Sequence, residues 1–156
     1  MLTITIGLIS DTHGLLRPEA LAGLRGSDVL IHAGDIGKPE ILDELSRLAP
    51  LTVVRGNNDT AAWAADLPET ATLRIGAVAI HVLHDLALLA PDAAAGCRVV
   101  VAGHSHRPAI AEENGVLYVN PGSAGPRRFT LPIAIGRLRV TGDQVAAEIC
   151  ELAVSR

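Results

Sequence analysis

The fold is decided by three apolar runs near the start of the chain, each of which ends in polar side chains. Residues 2–14 read LTITIGLISDTHG, residues 28–35 read DVLIHAGD, and residues 51–59 read LTVVRGNND. Each run begins with aliphatic and β-branched residues, which are typical of a buried strand. We therefore predict three strands of one sheet, over Leu2–Ile9, Asp28–Ala33 and Leu51–Val54.

Two segments between these runs have the features of helices. Pro18–Leu24 has a proline in its first turn and Gly26 after its end, which are common boundary residues of a helix. Pro39–Leu48 spaces its apolar residues as an amphipathic helix does. The chain therefore alternates strand, helix, strand, helix, strand, and we expect parallel strands with right-handed crossovers.

The rest of the chain predicts strands with few helices. Turn residues separate three pairs of apolar runs and predict hairpins. The predicted strands are Ala71–Ile75, Val78–Leu83, Arg98–Ala102, Ala109–Ala111, Val116–Val119, Ile133–Val140 and Val145–Leu152. Because this part is mostly antiparallel, we expect an α/β fold of two packed sheets with helices outside, and a single domain over residues 1–156.

The composition argues against several classes of protein. Of the 156 residues, 49% are hydrophobic and 19% are charged, which excludes a disordered chain. Aromatic residues make up 2% and the net charge is −4, which argues against a nucleic-acid or anionic-membrane partner. Cys97 and Cys150 form no CxxC motif, so a thiolate zinc site of that type is excluded. The N-terminal run lacks the basic residues of a signal peptide, and the expected location is the cytoplasm.

Seven side chains of types that bind metals follow the predicted strands. They are Asp11, His13, Asp35, Asn57, His84, His104 and His106. Ligands of open α/β sheets bind at the carboxyl ends of the strands, so we expect these side chains to converge. Carboxylate, imidazole and amide donors without thiolate suit Mn, Fe, Zn or Mg. The sequence therefore predicts a metal site at the strand ends.

Each piece of this pattern also has an ordinary structural interpretation. Asp11 is a typical N-cap residue, and the dipeptides Gly34-Asp35 and Gly56-Asn57 are common in turns. The GHSH segment at 103–106 is more specific, because two imidazoles one residue apart at a strand end are uncommon. Taken together, the seven residues favour a metal site.

The order of five short motifs resembles the calcineurin-like metallophosphoesterase superfamily, and most closely its small single-domain prokaryotic phosphodiesterases. The motifs are GLISDTHG at 7–14, HAGD at 32–35, VRGN at 54–57, VAGHSH at 101–106 and VNPGS at 119–123. The resemblance implies a four-layer α/β/β/α sandwich of two mixed sheets. It also implies a dinuclear metal centre at the strand ends.

The resemblance further implies a role for each matching residue. The first metal would be held by Asp11, His13 and His106. The second metal would be held by Asn57, His84 and His104. Asp35 would bridge the two metals and, with Asn57 and Arg127, would be catalytic, Arg127 as a contact to the phosphate. A solvated surface arginine is the alternative for Arg127.

The histidine of the second site departs from the family pattern, which usually has Thr-His-Gly where this chain has Leu83-His84-Asp85. His81 is the competing candidate. In a strand these two histidines face opposite sides, so at most one should reach the metals. The position of His84 at the end of its run favours His84.

Four further polar residues stay open at this stage. Asn58 stands where many members of the superfamily have a histidine that assists the leaving group, and an amide cannot supply that proton. His32 is either a buried, hydrogen-bonded histidine or a support for the ligands. Asp59 and Asp85 are either supports for the ligands or exposed turn residues.

The function that these residues favour is a metal-dependent phosphodiesterase, in which a hydroxide between two divalent ions attacks phosphorus. Mn²⁺ is the expected metal, with Ni²⁺, Zn²⁺, Fe²⁺ and Mg²⁺ as alternatives. The expected partner is a small phosphodiester, with no membrane, nucleic acid disfavoured and a homo-oligomer left open. The main alternative is a non-catalytic protein-binding scaffold on the same fold, similar to the retromer subunit. A repair-type nuclease is a third reading.

Overall fold

The computed structural model describes residues 2–154, which form ten strands and two α-helices. The strands are β1 (Thr3–Ile9), β2 (Val29–His32), β3 (Leu51–Val53), β4 (Thr70–Ile75), β5 (Val78–Leu83), β6 (Val99–Val101), β7 (Ala109–Glu113), β8 (Val116–Asn120), β9 (Ala134–Thr141) and β10 (Gln144–Glu151). The helices are α1 (Pro18–Leu24) and α2 (Pro39–Leu48), and two 3₁₀ turns span Ala62–Ala64 and Leu86–Leu88. Within the described residues, no helix is both long enough and apolar enough to cross a membrane.

The first sheet has the strand order β10-β9-β1-β2-β3. Strands β1, β2 and β3 are parallel, as their alternation with α1 and α2 predicts. Strand β9 pairs antiparallel with both β1 and β10, and the last two strands form the predicted hairpin. The ends of β1, β2 and β3 therefore lie along one edge of this sheet.

The second sheet has the strand order β4-β5-β6-β8-β7. Its antiparallel pairs β4–β5 and β7–β8 are the other two predicted hairpins. Between them, β5, β6 and β8 run parallel to one another. The mixed character of both sheets agrees with the expected fold class.

The two sheets pack face to face around a common apolar core. Leu8 and Ile31 of the first sheet and Ile80 and Val101 of the second are buried in this cluster. Neighbouring residues point to the other side of the first sheet, where Ile9 packs against the helices. Burial on both faces explains why these strands read as continuous apolar runs.

The outer layers of the two sheets differ. On the first sheet, Leu24 of α1 and Ile41 of α2 are buried against the strands. On the second sheet, the cover within the described residues is a 3₁₀ turn and irregular chain over 86–97. Leu89 and Ala94 of that segment pack on the strands. The α/β sandwich is confirmed, with a thin fourth layer that leaves part of the second sheet exposed.

Candidate metal centre

Three of the predicted ligands form a first group where β1 ends. Asp11 Oδ1 lies 3.4 Å from His106 Nε2 and 3.8 Å from His13 Nε2. The two Nε2 atoms lie 3.3 Å apart. One donor atom from each of these side chains falls within a sphere that a single cation could occupy.

The other predicted ligands form a second group beside the first. His104 Nδ1 lies 3.3 Å from His84 Nε2 and 3.1 Å from Asn57 Oδ1. Asp35 Oδ2 lies 3.2 Å from His84 Nε2. The structure therefore brings together all seven side chains that the sequence singled out, as two groups of donors.

Asp35 connects the two groups. Its Oδ2 atom lies 3.7 Å from His13 Nε2 in the first group and 3.2 Å from His84 Nε2 in the second. Its Oδ1 atom instead accepts the backbone N–H of Asn58 at 2.8 Å, and Asn58 Nδ2 donates to Oδ2 at 3.2 Å. Asn58 therefore orients the carboxylate that both groups share.

His84 faces the carboxylates with a nitrogen that carries no proton in the neutral ring. Its Nδ1–H donates to the carbonyl of Ala33 at 2.7 Å, so Nε2 is the lone-pair nitrogen. That nitrogen faces Asp35 Oδ2 and, at 3.8 Å, Asp11 Oδ1. Acceptor atoms this close need a proton or a cation between them. His81 lies away from this cluster, with its Nδ1 3.0 Å from Thr72 Oγ1 on β4.

Asp11 has one oxygen satisfied and one free for a ligand. Oδ2 accepts the hydroxyl of Ser10 at 2.7 Å and the backbone N–H of His104 at 3.1 Å. Oδ1 is buried and accepts no hydrogen bond within residues 2–154. Buried polar atoms in native proteins almost always have a partner, and an orphan in this position fits a cation. The donor set, with oxygen and imidazole nitrogen and no sulfur, fits divalent metals.

The ionisation of these groups follows from burial and from one another. Burial raises the pKa of the Asp11 carboxyl, partly offset by the hydrogen bond from Ser10. Burial would also raise the pKa of Asp35, but the nearby His84 and the hydrogen bond from the backbone of Asn58 hold that pKa below the ordinary value. Burial works against a proton on His84, but Asp35 and Asp11 raise the pKa of His84 above its ordinary value. The site thus contains a stabilised carboxylate at its centre.

The backbone at the ligands is unusual. The residues with positive φ among the ligands are Asp11 (54°), His13 (44°), Asp35 (57°), His104 (73°) and His106 (62°). Two of the preceding glycines leave no room for a side chain. A Cβ at Gly103 would collide with Ser10 Oγ, and one at Gly56 would collide with Asp35. These glycines let the loops approach closely enough for the ligands to meet.

Asp59 is a structural support whose importance the sequence did not settle. The side chain is buried, and Oδ2 accepts the N–H groups of Asp35 and Gly56, each at 2.9 Å. Oδ1 accepts those of Ile36 at 2.9 Å and Gly37 at 3.3 Å. One carboxylate therefore ties the loop after β2 to the loop after β3. The sequence signal was the acidic residue just after Gly56-Asn57-Asn58, but its partners are backbone groups that no motif reveals.

His32 is a buried neutral histidine with both ring nitrogens bonded. The Thr12 hydroxyl donates to the carbonyl of Ile36 at 2.8 Å, so it accepts from His32 Nε2–H at 3.0 Å. His32 Nδ1 accepts the N–H of Gly34 at 3.0 Å. Burial lowers the pKa of His32 to about 3. This residue holds the first two ligand loops together and does not point at the metal site.

Two polar side chains of the NPGS segment, Asn120 at the end of β8 and Ser123 after it, support the loops that carry predicted ligands. Asn120 Nδ2 donates to the carbonyl of Gly103 at 2.9 Å and to Ser105 Oγ at 3.1 Å. Ser123 Oγ donates to the carbonyl of Asp11 at 2.9 Å. The NPGS turn thus fixes the loops that carry Asp11 and His104.

The remaining candidates are Arg127 and Asp85. Arg127 is exposed, and its guanidinium donates to the carbonyl of Leu131 at 3.2 Å. Burial lowers the pKa of His106, and the positive charge of Arg128, the neighbour of Arg127, lowers it further. Asp85 Oδ2 lies 3.7 Å from His104 Nε2.

Comparison with known proteins agrees with this geometry. Residues 4–143 match the calcineurin-like phosphoesterase superfamily domain. A probable metallophosphoesterase of Methanothermobacter thermautotrophicus is 34% identical, over 92% of this chain and 90% of its own. A predicted phosphoesterase structure from Streptococcus pneumoniae has a TM-score of 0.75 at 24% identity, covering 97% of this chain and 91% of its own. Vacuolar protein sorting 29 from Cryptosporidium parvum has a TM-score of 0.79 at 19% identity, covering 97% of this chain and 98% of its own.

Proposed function

The chain belongs to the calcineurin-like phosphoesterase superfamily, and on that premise we propose that it hydrolyses phosphodiesters with the help of two divalent metal ions. The observation that carries this proposal is the position of Asp35 Oδ2 between the two donor groups. A single carboxylate shared by two cations would hold them close together. Two-metal sites of this kind are suited to in-line displacement at phosphorus.

The ligands divide between the two ions as the two groups do. Asp11, His13 and His106 would hold the first ion, and Asn57, His84 and His104 the second. When bound, such ions supply a hydroxide nucleophile at neutral pH and neutralise a phosphoryl oxygen. Asp11 and Asp35 bring two carboxyl groups, which balance part of the cations' charge. The mixture of carboxylate, amide and imidazole donors supports Mn²⁺, with Ni²⁺, Zn²⁺, Fe²⁺ or Mg²⁺ as alternatives.

The residues around the ligands determine what the site can do for the leaving group. Asn58 is bonded to both oxygens of Asp35, so its role is to orient the shared carboxylate. An amide has no proton to give at neutral pH. We therefore expect good leaving groups, such as aryl esters, to be preferred.

The exposed loop after the NPGS turn is the proposed source of positive charge for the phosphate. Arg127 uses one donor on Leu131 and has others left, since a guanidinium carries five. Arg128 adds a second positive charge, which acts on His106. We further propose a single domain over residues 1–156 that acts in the cytoplasm on a small phosphodiester. A net charge of −4 supports a small-molecule substrate over a nucleic acid.

The experiment that tests this proposal measures metal binding and hydrolysis together. The apoprotein is titrated with each metal singly in a calorimeter and then assayed on bis(p-nitrophenyl) phosphate and on the p-nitrophenyl monoester. We expect two ions per chain and faster turnover of the diester. Asp35→Asn should weaken the binding of both ions and lower kcat/KM by at least about 100-fold, since each ion loses a charged ligand.

Asp66→Asn is the matched control, because Asp66 is exposed and belongs to neither donor group. Its metal stoichiometry and rate should equal those of the wild type. A wild-type protein that binds no metal tightly would overturn the proposal. Two bound ions without turnover of any ester would instead favour the non-catalytic scaffold.

A further inference from the structure

A groove on the outer face of the second sheet adjoins the metal centre and has no part in the chemistry described above. The cavity measures about 310 Å³. Its apolar lining comes from Val100, Ala102, Ala109, Ala111 and Tyr118. Ligand pockets begin at about this size, so the groove can hold a ring but not a large molecule.

The register of three neighbouring strands explains the groove's apolar floor. Val100 on β6 pairs with Tyr118 on β8, which pairs with Ala111 on β7, so the three form one row across the sheet. The next row lies two positions along the strands, toward the metal centre, and there Ala109 pairs with Asn120. Side chains two residues apart on a strand share a face, so both rows face the groove.

The groove is open because its residues are small and its cover is incomplete. Alanine stands at positions 102, 109 and 111, where larger side chains would fill the space. The segment over 86–97 places Leu89 and Ala94 on the sheet but leaves β7 uncovered, since Ala109 and Ala111 are exposed. An exposed apolar concavity of this kind is typical of a binding site.

His104 is the wall that separates the groove from the metal centre. Its Nδ1 faces Asn57 and His84 in the second donor group. The same imidazole, 44% exposed in its side chain, lines the groove. A group attached to a phosphoryl centre at the donors therefore has only one ring to pass before it reaches the apolar floor.

We propose that this groove binds a flat apolar arm of the phosphoester, an aryl ring or a ring of similar shape, while the phosphoryl group sits at the metal centre. The proposal rests on the proposed function and specifies its substrate class. Tyr118 is the aromatic side chain of the lining, and aromatic rings favour offset-stacked or edge-to-face contacts with one another.

A second cavity on the other side of Asp85 fits an apolar ring less well. It measures about 290 Å³ and is lined by Arg55, Glu69 and Thr70, with Asn57 and His84 from the metal centre. Arg55 and Glu69 form an ion pair at 2.9 Å, which a buried ring would desolvate. The apolar arm is therefore assigned to the groove over β6, β7 and β8.

The test compares methylphosphonate and phenylphosphonate as ligands of the metal-loaded protein, by calorimetry. Both carry the same anionic head, and neither has an ester bond to hydrolyse. We expect phenylphosphonate to bind at least about tenfold more tightly, which corresponds to about 55 Å² of apolar surface removed from water. NMR spectra should show the methyl groups of Ala109 and Ala111 shifting with the phenyl ligand and not with the methyl ligand.

Variants then locate the binding site. Ala111→Phe places a ring beside Tyr118 and should reduce the preference to about twofold or less, with methylphosphonate affinity unchanged. Ile110→Phe is the matched control, because Ile110 lies on the same strand, faces the opposite side of the sheet and is also exposed. Ala109→Leu is a second filling variant that should act like Ala111→Phe if that protein folds poorly.

The outcomes separate this proposal from the proposed function. Failure of methylphosphonate to bind the metal-loaded wild type would count against the metal centre itself. Binding of both ligands with equal affinity would overturn the assignment of the groove as the site of the apolar arm. It would leave the proposed metal centre unaffected. A phenyl preference that survives both Ala111→Phe and Ala109→Leu would also overturn it, since the ring would then bind elsewhere.

Discussion

The carboxylate of Asp59 should prove more important to this fold than its place in a turn suggests, and Asp59→Asn is the perturbation that tests it. The four backbone N–H groups that donate hydrogen bonds to Asp59 belong to two loops that carry proposed metal ligands. Asparagine has nearly the same shape but only one accepting oxygen. If that oxygen keeps the N–H groups of Asp35 and Gly56, the amide NH₂ must face those of Ile36 and Gly37.

The expected cost follows from the two bonds lost. A hydrogen bond to a charged group contributes about 1.5–3 kcal/mol, so losing two in a buried place should cost about 3–6 kcal/mol of unfolding free energy. For a domain of this length, 3 kcal/mol corresponds to about 6–12 °C in Tm. Because the two loops lose their common anchor, metal affinity should also fall by about 10–100-fold.

Thermal and urea unfolding of the metal-free protein give the first quantity, and calorimetric metal titration gives the second. Asp66→Asn again serves as the control, since it makes the same chemical change at an exposed residue. A Tm within about 2 °C of the wild type for Asp59→Asn would refute the reasoning, because the four bonds could not then be supporting the loops.

Two further predictions concern His32 and Asn58. His32 is neutral when folded, with a pKa of about 3 against 6.5 ordinarily, so its stabilising contribution is complete above pH 6.5 and is lost as the pH falls. Between about pH 8 and about pH 5 the unfolding free energy should therefore drop by about 2 kcal/mol more in the wild type than in His32→Asn, as urea titrations at both pH values can measure. Asn58→His, assayed at saturating metal on diesters of rising leaving-group pKa, should flatten the dependence of log kcat/KM on that pKa, because a positioned acid contributes about 10²–10⁴-fold. Parallel slopes would show that position 58 does not govern departure of the leaving group.

The secondary structure could be predicted closely from the sequence because its signals are local. Pro18–Leu24 and Pro39–Leu48 have the predicted bounds, since a proline opens each helix and the apolar spacing defines its length. The strands differ from the predicted bounds by a few residues at most, because each apolar run stops where the chain meets a glycine or a polar turn. The pairing order of the second sheet could not be predicted in this way, because it depends on tertiary contacts.

The donor residues of the site could be picked out for a related reason. Each follows a strand, and the carboxyl ends of parallel strands share an edge, so convergence follows from topology. The supports could not be recognised in this way. Asp59, Asn120 and Ser123 act on backbone groups whose positions depend on how loops from different strands meet. Their side chains carry no spacing that distinguishes a support from an ordinary turn residue.

The positive φ angles explain why the donor residues need the residues that support them. A left-handed conformation costs an ordinary residue about 1–2 kcal/mol, and five of the seven donors adopt it. Aspartate and histidine are among the residue types most often found there, and they are also the types that bind metals through oxygen and imidazole nitrogen. Such strain persists only where the surroundings fix the backbone. Asp59 does so at Asp35 by binding its N–H, and the bond from Ser123 to the Asp11 carbonyl does so at Asp11. The backbones of Asp11 and Asp35 are therefore held in place by hydrogen bonds with these two supports.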